Sequence, residues 1–261
     1  MLNSKLPGNT RPIPIRVLTY NIHKGYSTAN LRFALHRIRE ELHKTGADVI
    51  FLQETQGKHL TREATVQGWP LMAQSEFLAD RLWPHHAYGK NAIYNAGHHG
   101  NAILSKFPFV QWENLNVSDM RRASRSLLHG VVQIPDINRE LHVICIHLDL
   151  RAYERRRQIK ILVQRIRESI PPQAPLILAG DFNDWRGEVY KYLPPELALT
   201  EVFRHLHGRH AKTFPAFLPV LSVDRIFFRG MEPVECSCFR NHPWHNMSDH
   251  LPLYARFDLP A

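Results

Sequence analysis

The chain is poor in cysteine, with three thiols (Cys145, Cys236 and Cys238) in 261 residues. So small and odd a number builds no disulfide framework, and a reducing, cytoplasmic setting is expected. No apolar run approaches the ~18 residues of a membrane span. The opening stretch, MLNSKLPGNTRPIPIRVL, lacks the apolar segment and small-residue cleavage site of a signal peptide. Gly/Ser linkers, low-complexity tracts and internal repeats are missing as well. A tail over residues 1–14 and one domain over residues 15–261 are therefore expected. The 17 histidines contain no His-x-x-x-His pair, and paired-cysteine ligand spacing is lacking, which argues against a zinc hydrolase.

What is present is ordinary globular composition, 44% hydrophobic and 22% charged, enough at this length to bury a core unaided. The charge is unbalanced. Lys+Arg number 33 against 24 Asp+Glu, a net +9 at pH 7. That favours anionic partners: nucleic acid, an anionic membrane surface or a phosphorylated small molecule.

Short apolar runs at 15–20, 48–52, 102–104, 126–134, 141–147, 176–179, 223–228 and 251–257 predict strands. Leu31, Ala34, Leu35, Ile38 and Leu42 recur at helical spacing and predict a helix over 31–43 with Asn30 as its N-cap. Ile159, Leu162, Val163, Ile166 and Ile170 predict a second helix, ended by Pro171-Pro172. Strands dominate, so the expected class is α/β, with two sheets packed face to face and helices outside.

Polar residues stand at the ends of these runs. Asn21 follows Val17–Tyr20, Gln53-Glu54 follows Val49–Leu52, and His147 follows Val143–Ile146. Asp181, Asn183 and Asp184 follow Leu176–Gly180; Asp224 precedes Arg225–Phe228; Ser248-Asp249-His250 precedes Leu251. Any one of these reads as a turn former. Six together are costly to bury unless cations or hydrogen bonds compensate them. Glu54 and Asp249 are hard oxygen ligands suited to Mg²⁺ or Mn²⁺. His147 and His250 offer proton transfer or charge stabilisation, so the set suits metal-assisted attack on phosphorus.

On these residues the chain resembles the endonuclease/exonuclease/phosphatase superfamily, the fold of pancreatic-type deoxyribonuclease. The resemblance rests on Thr19-Tyr20-Asn21-Ile22, Ala47–Glu54, Gly100-Asn101-Ala102-Ile103-Leu104-Ser105, Ile146-His147-Leu148, Gly180-Asp181-Phe182-Asn183, Val223-Asp224-Arg225-Ile226 and Ser248-Asp249-His250. It implies a DNase I-like, four-layered α/β sandwich of two mostly antiparallel sheets flanked by helices. It implies Glu54 as principal metal ligand, with Asn21 and Asp249 beside it. Asp181 would orient or deprotonate the attacking water, and Asn183 would hold Asp181 in register. His147 and His250 would face the non-bridging oxygens, with Asp224 fixing His250. Arg125, Asn101 and Trp185 are the expected phosphate or substrate contacts.

Other features have plainer readings. Arg151, Arg155, Arg156, Arg157 and Lys160 read as a solvated helix face, or alternatively as an anion-steering patch. Arg121, Arg122 and Arg125 fall in a loop before a strand. His98-His99 suggests a hydrogen-bonding loop, and Cys236-Ser237-Cys238 a strand with thiols acting as small hydrophobes. Trp185 and Trp244 line the cleft or belong to the core. The expected function is a divalent-metal-dependent phosphodiesterase, acting as a monomer on DNA or RNA. Hydrolysis of a phospholipid or small phosphoester is the alternative, and an inactive binding module the remote one, since Glu54, Asp181 and His250 are all retained.

Overall fold

A computed structural model describes residues 11–118 and 125–260. Its strands are β1 (Ile13–Asn21), β2 (Val49–His59), β3 (His85–Tyr94), β4 (Gly97–Ser105), β5 (Phe109–Asn116), β6 (Ser126–Ile134), β7 (Arg139–His147), β8 (Leu176–Asp181), β9 (Thr200–Glu201), β10 (Asp224–Arg229), β11 (Glu232–Cys238) and β12 (Leu253–Leu259). The helices are α1 (Leu35–Lys44), α2 (Leu60–Thr65), α3 (Gln74–Ala79), α4 (Ala152–Ser169) and α5 (Val202–His207). The strands form two six-stranded sheets, ordered β11-β12-β1-β2-β4-β3 and β5-β6-β7-β8-β10-β9.

Within each sheet one central pair is parallel, β1 with β2 and β7 with β8. Parallel neighbours need a crossover, and here α1 and α4 supply it. The other neighbours run antiparallel. The apolar runs do not alternate with polar residues because both strand faces are covered. Val17, Val49 and Phe51 face Val143, Cys145 and Ile177 between the sheets. Leu18, Ile50 and Leu52 pack outward on Leu35, Ile38 and Leu42 of α1. Ile144 and Leu178 pack outward on Ile159, Leu162 and Ile166 of α4. The result is the expected four-layered α/β sandwich.

The first helix is shorter than its periodicity predicts. Ala34, not Asn30, occupies the N-cap position, and Leu31 is 79% exposed. The cause is local: Ser27 N–H donates to Arg32 O, Arg32 N–H donates to Ser27 Oγ, and Tyr26 bridges Phe33. Those bonds close residues 26–33 into a turn before the helix starts. β3 and β5 carry no continuous apolar run because each lies at a sheet edge and leaves much of its length open to solvent. The 31–43 pattern was therefore partly a loop, whereas the second helix ends at Ser169, just before the paired prolines.

Candidate active site

The parallel pairs bring the polar residues together. Asn21 ends β1 opposite Gln53, and His147 ends β7 opposite Asp181. Asp224, which opens β10, pairs with Asp181 from the other side. Both sheets thus deliver their polar strand ends to one end of the sandwich. A cleft of about 230 Å³ opens there, lined by Asn21, Glu54, Arg125, His147, Asp181, Asn183, Trp185, Asp249 and His250, with Leu150, Phe214, Leu221 and Val223.

Asp181 is its hub and is buried. Oδ1 accepts from Asn183 N–H at 2.9 Å and Oδ2 from Asn21 Nδ2 at 3.2 Å. His147 Nε2 stands 3.4 Å and His250 Nε2 3.8 Å from Oδ2. Arg125 Nη1 donates to His147 Nδ1 at 3.0 Å, which leaves the proton of the neutral ring on Nε2, facing Asp181. His250 Nδ1 donates to Asp224 Oδ2 at 2.9 Å. Asn183 Nδ2 donates to Leu148 O at 2.9 Å, tying the ends of β7 and β8.

Glu54 enters from the other sheet by a backbone irregularity. Its φ is +54°, and the β2–β4 register shifts between Leu52 and Thr55. A non-glycine residue pays for that conformation, and such strain clusters at functional sites. Asn183 does the same at φ +49°. The Lys24 ammonium lies 2.9 Å from Glu54 Oε2, an oxygen that is buried and receives no well-aligned hydrogen bond. Asn21 Oδ1 accepts from His23 N–H at 3.1 Å, and His23 Nδ1 is 3.8 Å from Asp249 Oδ1. A largely enclosed carboxylate lining the same cleft as an amide and a second carboxylate is a donor set whose hard oxygens suit a divalent ion. Asp181, Asp224 and His250 also offer ligand atoms within 4.8 Å of one another. Since His250 Nδ1 is committed to Asp224, that group reads better as a proton-handling relay.

Electrostatics separate the groups. Burial would lower His250, but Asp224 and Asp181 outweigh it and lift the imidazole to about 10. Burial raises Asp181 to about 6 against the pull of His250, with Asp224 adding repulsion. Burial and then Arg125 push His147 well below its usual value, so it stays neutral. For Glu54 burial acts upward, but the Lys24 ammonium 2.9 Å away holds the carboxyl below the ordinary range; a neutral His147 adds no pull of its own.

Several residues fall elsewhere. Asn101 is fully buried off the cleft, donating to Ser126 O at 3.0 Å beside Arg125. Trp185 is at the rim, 44% exposed, whereas Trp244 is core, edge-on to Tyr20. Asp184 accepts from Glu188 and Val189 N–H and is a turn cap. His98 and His99 are on β4 rather than in a loop. Arg121 and Arg122 lie outside the described residues. The arginines opening α4 are mostly engaged: Arg151 with Asp149, Arg156 with Glu188, Arg157 with Glu154. Arg155 is buried, donating to Asp149 O and Leu150 O and lying 5.5 Å from the Trp185 ring. Sequence reasoning gave no role to Lys24, His23 or Phe214, whose ring centroid is 5.0 Å from that of His250. The only signal was that Lys24 stands three residues past Asn21.

The sequence profile of the Endonuclease/Exonuclease/phosphatase family matches residues 18–250. The uncharacterized protein YbhP of Escherichia coli (strain K12) is 39% identical over 254 residues, 97% of this chain and 100% of YbhP. An endonuclease/exonuclease/phosphatase structure from Beutenbergia cavernae superposes with a TM-score of 0.79 at 20% identity, over 95% of this chain and 72% of that one. A D. rerio TDP2 structure, complexed with single-strand DNA product, superposes with a TM-score of 0.71 at 22% identity, over 94% of this chain and 99% of that one.

Proposed function

This chain belongs to the Endonuclease/Exonuclease/phosphatase family, and we propose that it is a divalent-metal-dependent phosphodiesterase working through the Asp181 cleft. The observation that carries the reading is the separation of charge around Asp181. One imidazole is held protonated by Asp224 and another neutral by Arg125, on either side of a single buried carboxylate.

Glu54, with Asn21 and Asp249, would hold Mg²⁺ or Mn²⁺, which when bound supplies Lewis acidity at a phosphoryl oxygen. Asp181 takes the proton of the attacking water as its oxygen bonds to phosphorus and the opposite ester P–O bond breaks, the departing oxygen taking its proton from solvent. Its raised acidity range suits a base near neutral pH. Asn183 N–H and Asn21 Nδ2 fix the carboxylate so that it meets the water in one orientation. His250 presents Nε2–H to the non-bridging oxygen on which negative charge builds. His147 offers a second donor there. Phe214, Leu150 and Leu221 keep bulk water off the cleft walls. The test is hydrolysis of bis-p-nitrophenyl phosphate: chelator should abolish it, Mg²⁺ or Mn²⁺ should restore it, and Glu54→Gln should raise the ion concentration for half-maximal rate. Full activity in excess chelator overturns the reading.

A second reading concerns the substrate. The half-exposed Trp185 indole, backed by the Arg155 guanidinium, suits stacking on a nucleic-acid base. A TDP2 structure of this fold holds single-strand DNA product. Cleavage of single-stranded oligonucleotides, lost in Trp185→Ala while bis-p-nitrophenyl phosphate is still hydrolysed, would establish it.

A further inference from the structure

We propose that the catalytic end of the sandwich is a docking face for an anionic phospholipid bilayer, so that the cleft opens into the headgroup layer. Four strand connections surround the cleft, and each exposes a large apolar side chain. Past β1 stands Leu31 (79% exposed); in the β3–β4 hairpin Ile93 (75%); past β7 Leu150 (63%) and Tyr153 (58%); before β10 Phe217 (66%) and Leu218 (62%). The register puts them at one end: β1, β7 and β8 finish there at Asn21, His147 and Asp181, β10 starts there, and the β3–β4 turn meets His59 beyond Glu54.

These tips are built features. Leu218 N–H donates to Pro215 O and Val220 N–H to Phe214 O, closing a turn that thrusts Phe217 and Leu218 outward. The base of that turn is Phe214, which packs on His250. Across the mouth, Arg155 fastens the carbonyls of Asp149 and Leu150. Each flank of the cleft therefore carries an apolar projection anchored to it.

The charge between the tips selects the partner. Arg32, Arg37, Lys58 and Arg186 are exposed at this end, on a chain of net charge +9. The exposed Glu63 caps its own helix by accepting from His59 N–H. Beside the Phe217 tip a hollow of about 530 Å³, lined by Thr28, Arg32, Arg37 and His245, has the size and donors for an anionic headgroup. Apolar tips, aliphatic and aromatic, interleaved with cations are the pattern that lies in a bilayer interface, with apolar groups entering the acyl boundary and cations meeting anionic headgroups. A nucleic-acid track would need an unbroken run of cations, which these apolar tips interrupt.

The purpose of docking, presenting a lipid diester to the cleft, rests on the phosphodiesterase reading; docking itself is measured without turnover. The full chain is sedimented in chelator with vesicles of phosphatidylcholine alone, or of phosphatidylcholine mixed with phosphatidylglycerol. Wild type should bind the mixed vesicles and release as salt rises. The double variant Phe217→Ser/Leu218→Ser should bind them about tenfold more weakly or worse, yet hydrolyse bis-p-nitrophenyl phosphate as wild type does. No binding to mixed vesicles at low salt, or binding indifferent to the double variant, overturns the proposal. So does a double variant that loses oligonucleotide binding but keeps vesicle binding. Vesicle binding by a protein that hydrolyses no diester with any divalent ion supports docking and refutes only the phosphodiesterase reading.

Discussion

Arg155 is the sharpest test of how the basic helix start is used. A cation patch that steers phosphate and a clamp that holds a loop make opposite forecasts for Arg155→Ala. The side chain is 4% exposed; Nη1 donates to Asp149 O at 3.2 Å and Leu150 O at 2.5 Å, and the guanidinium covers the Trp185 ring. Truncation leaves both carbonyls without that donor. Bonds from a charged donor contribute about 1.5 kcal/mol each and a cation–π contact about 1, so about 4 kcal/mol should be lost. For a domain of this size that lowers Tm by about 8–16 °C. Urea unfolding should show a lower midpoint with unchanged m. kcat/KM on a soluble diester should fall because Leu150 and Trp185 line the cleft, while its salt dependence stays as in wild type. An unchanged Tm combined with a shallower salt slope would refute the clamp and restore the steering patch.

Asp181→Asn should lower kcat at least ~10²-fold with KM nearly unchanged; a raised KM with intact kcat would make Asp181 a binding contact only. His129 and His142 form a buried chain in which Arg165 Nε donates to His129 Nδ1 and the rings meet at 3.1 Å. Burial above all lowers them to about 3 and 4. The unfolded chain therefore takes up two protons near 6.5 that the native protein refuses, so their stabilisation is complete above that pH and is lost as pH falls toward 4. Urea midpoints should drop over that window, and His129→Gln/His142→Gln should flatten the drop; parallel curves would sink the idea. Gly180 has φ +145°, and a Cβ there would meet Ile146 O at 2.0 Å, so Gly180→Ala should cost about 3 kcal/mol or more. Gly46, at φ +67° with nothing within 4 Å, should cost only about 1 as Ala; equal losses would show that backbone proximity is not the cause.

The residue order alone determined the layers and the chemistry on offer. Runs such as Val49–Leu52 bury both faces, and they stop at carboxylates, amides and imidazoles that the resemblance put in one site. These are local properties: a period, a polar residue at its end, a proline pair after α4. Only the tertiary structure decided partners. Asn21 meets Asp181 across 160 positions, a juxtaposition set by which strand ends the two parallel pairs align. Glu54 turns into the cleft through a positive φ at a register shift, which no propensity forecasts for glutamate. Arg155 and Arg156 are neighbours in a basic run, yet one is a buried clamp and the other a surface cation. A helix sends consecutive side chains ~100° apart, so whether a charge meets a carbonyl or water depends on the face that α4 turns toward the sheet.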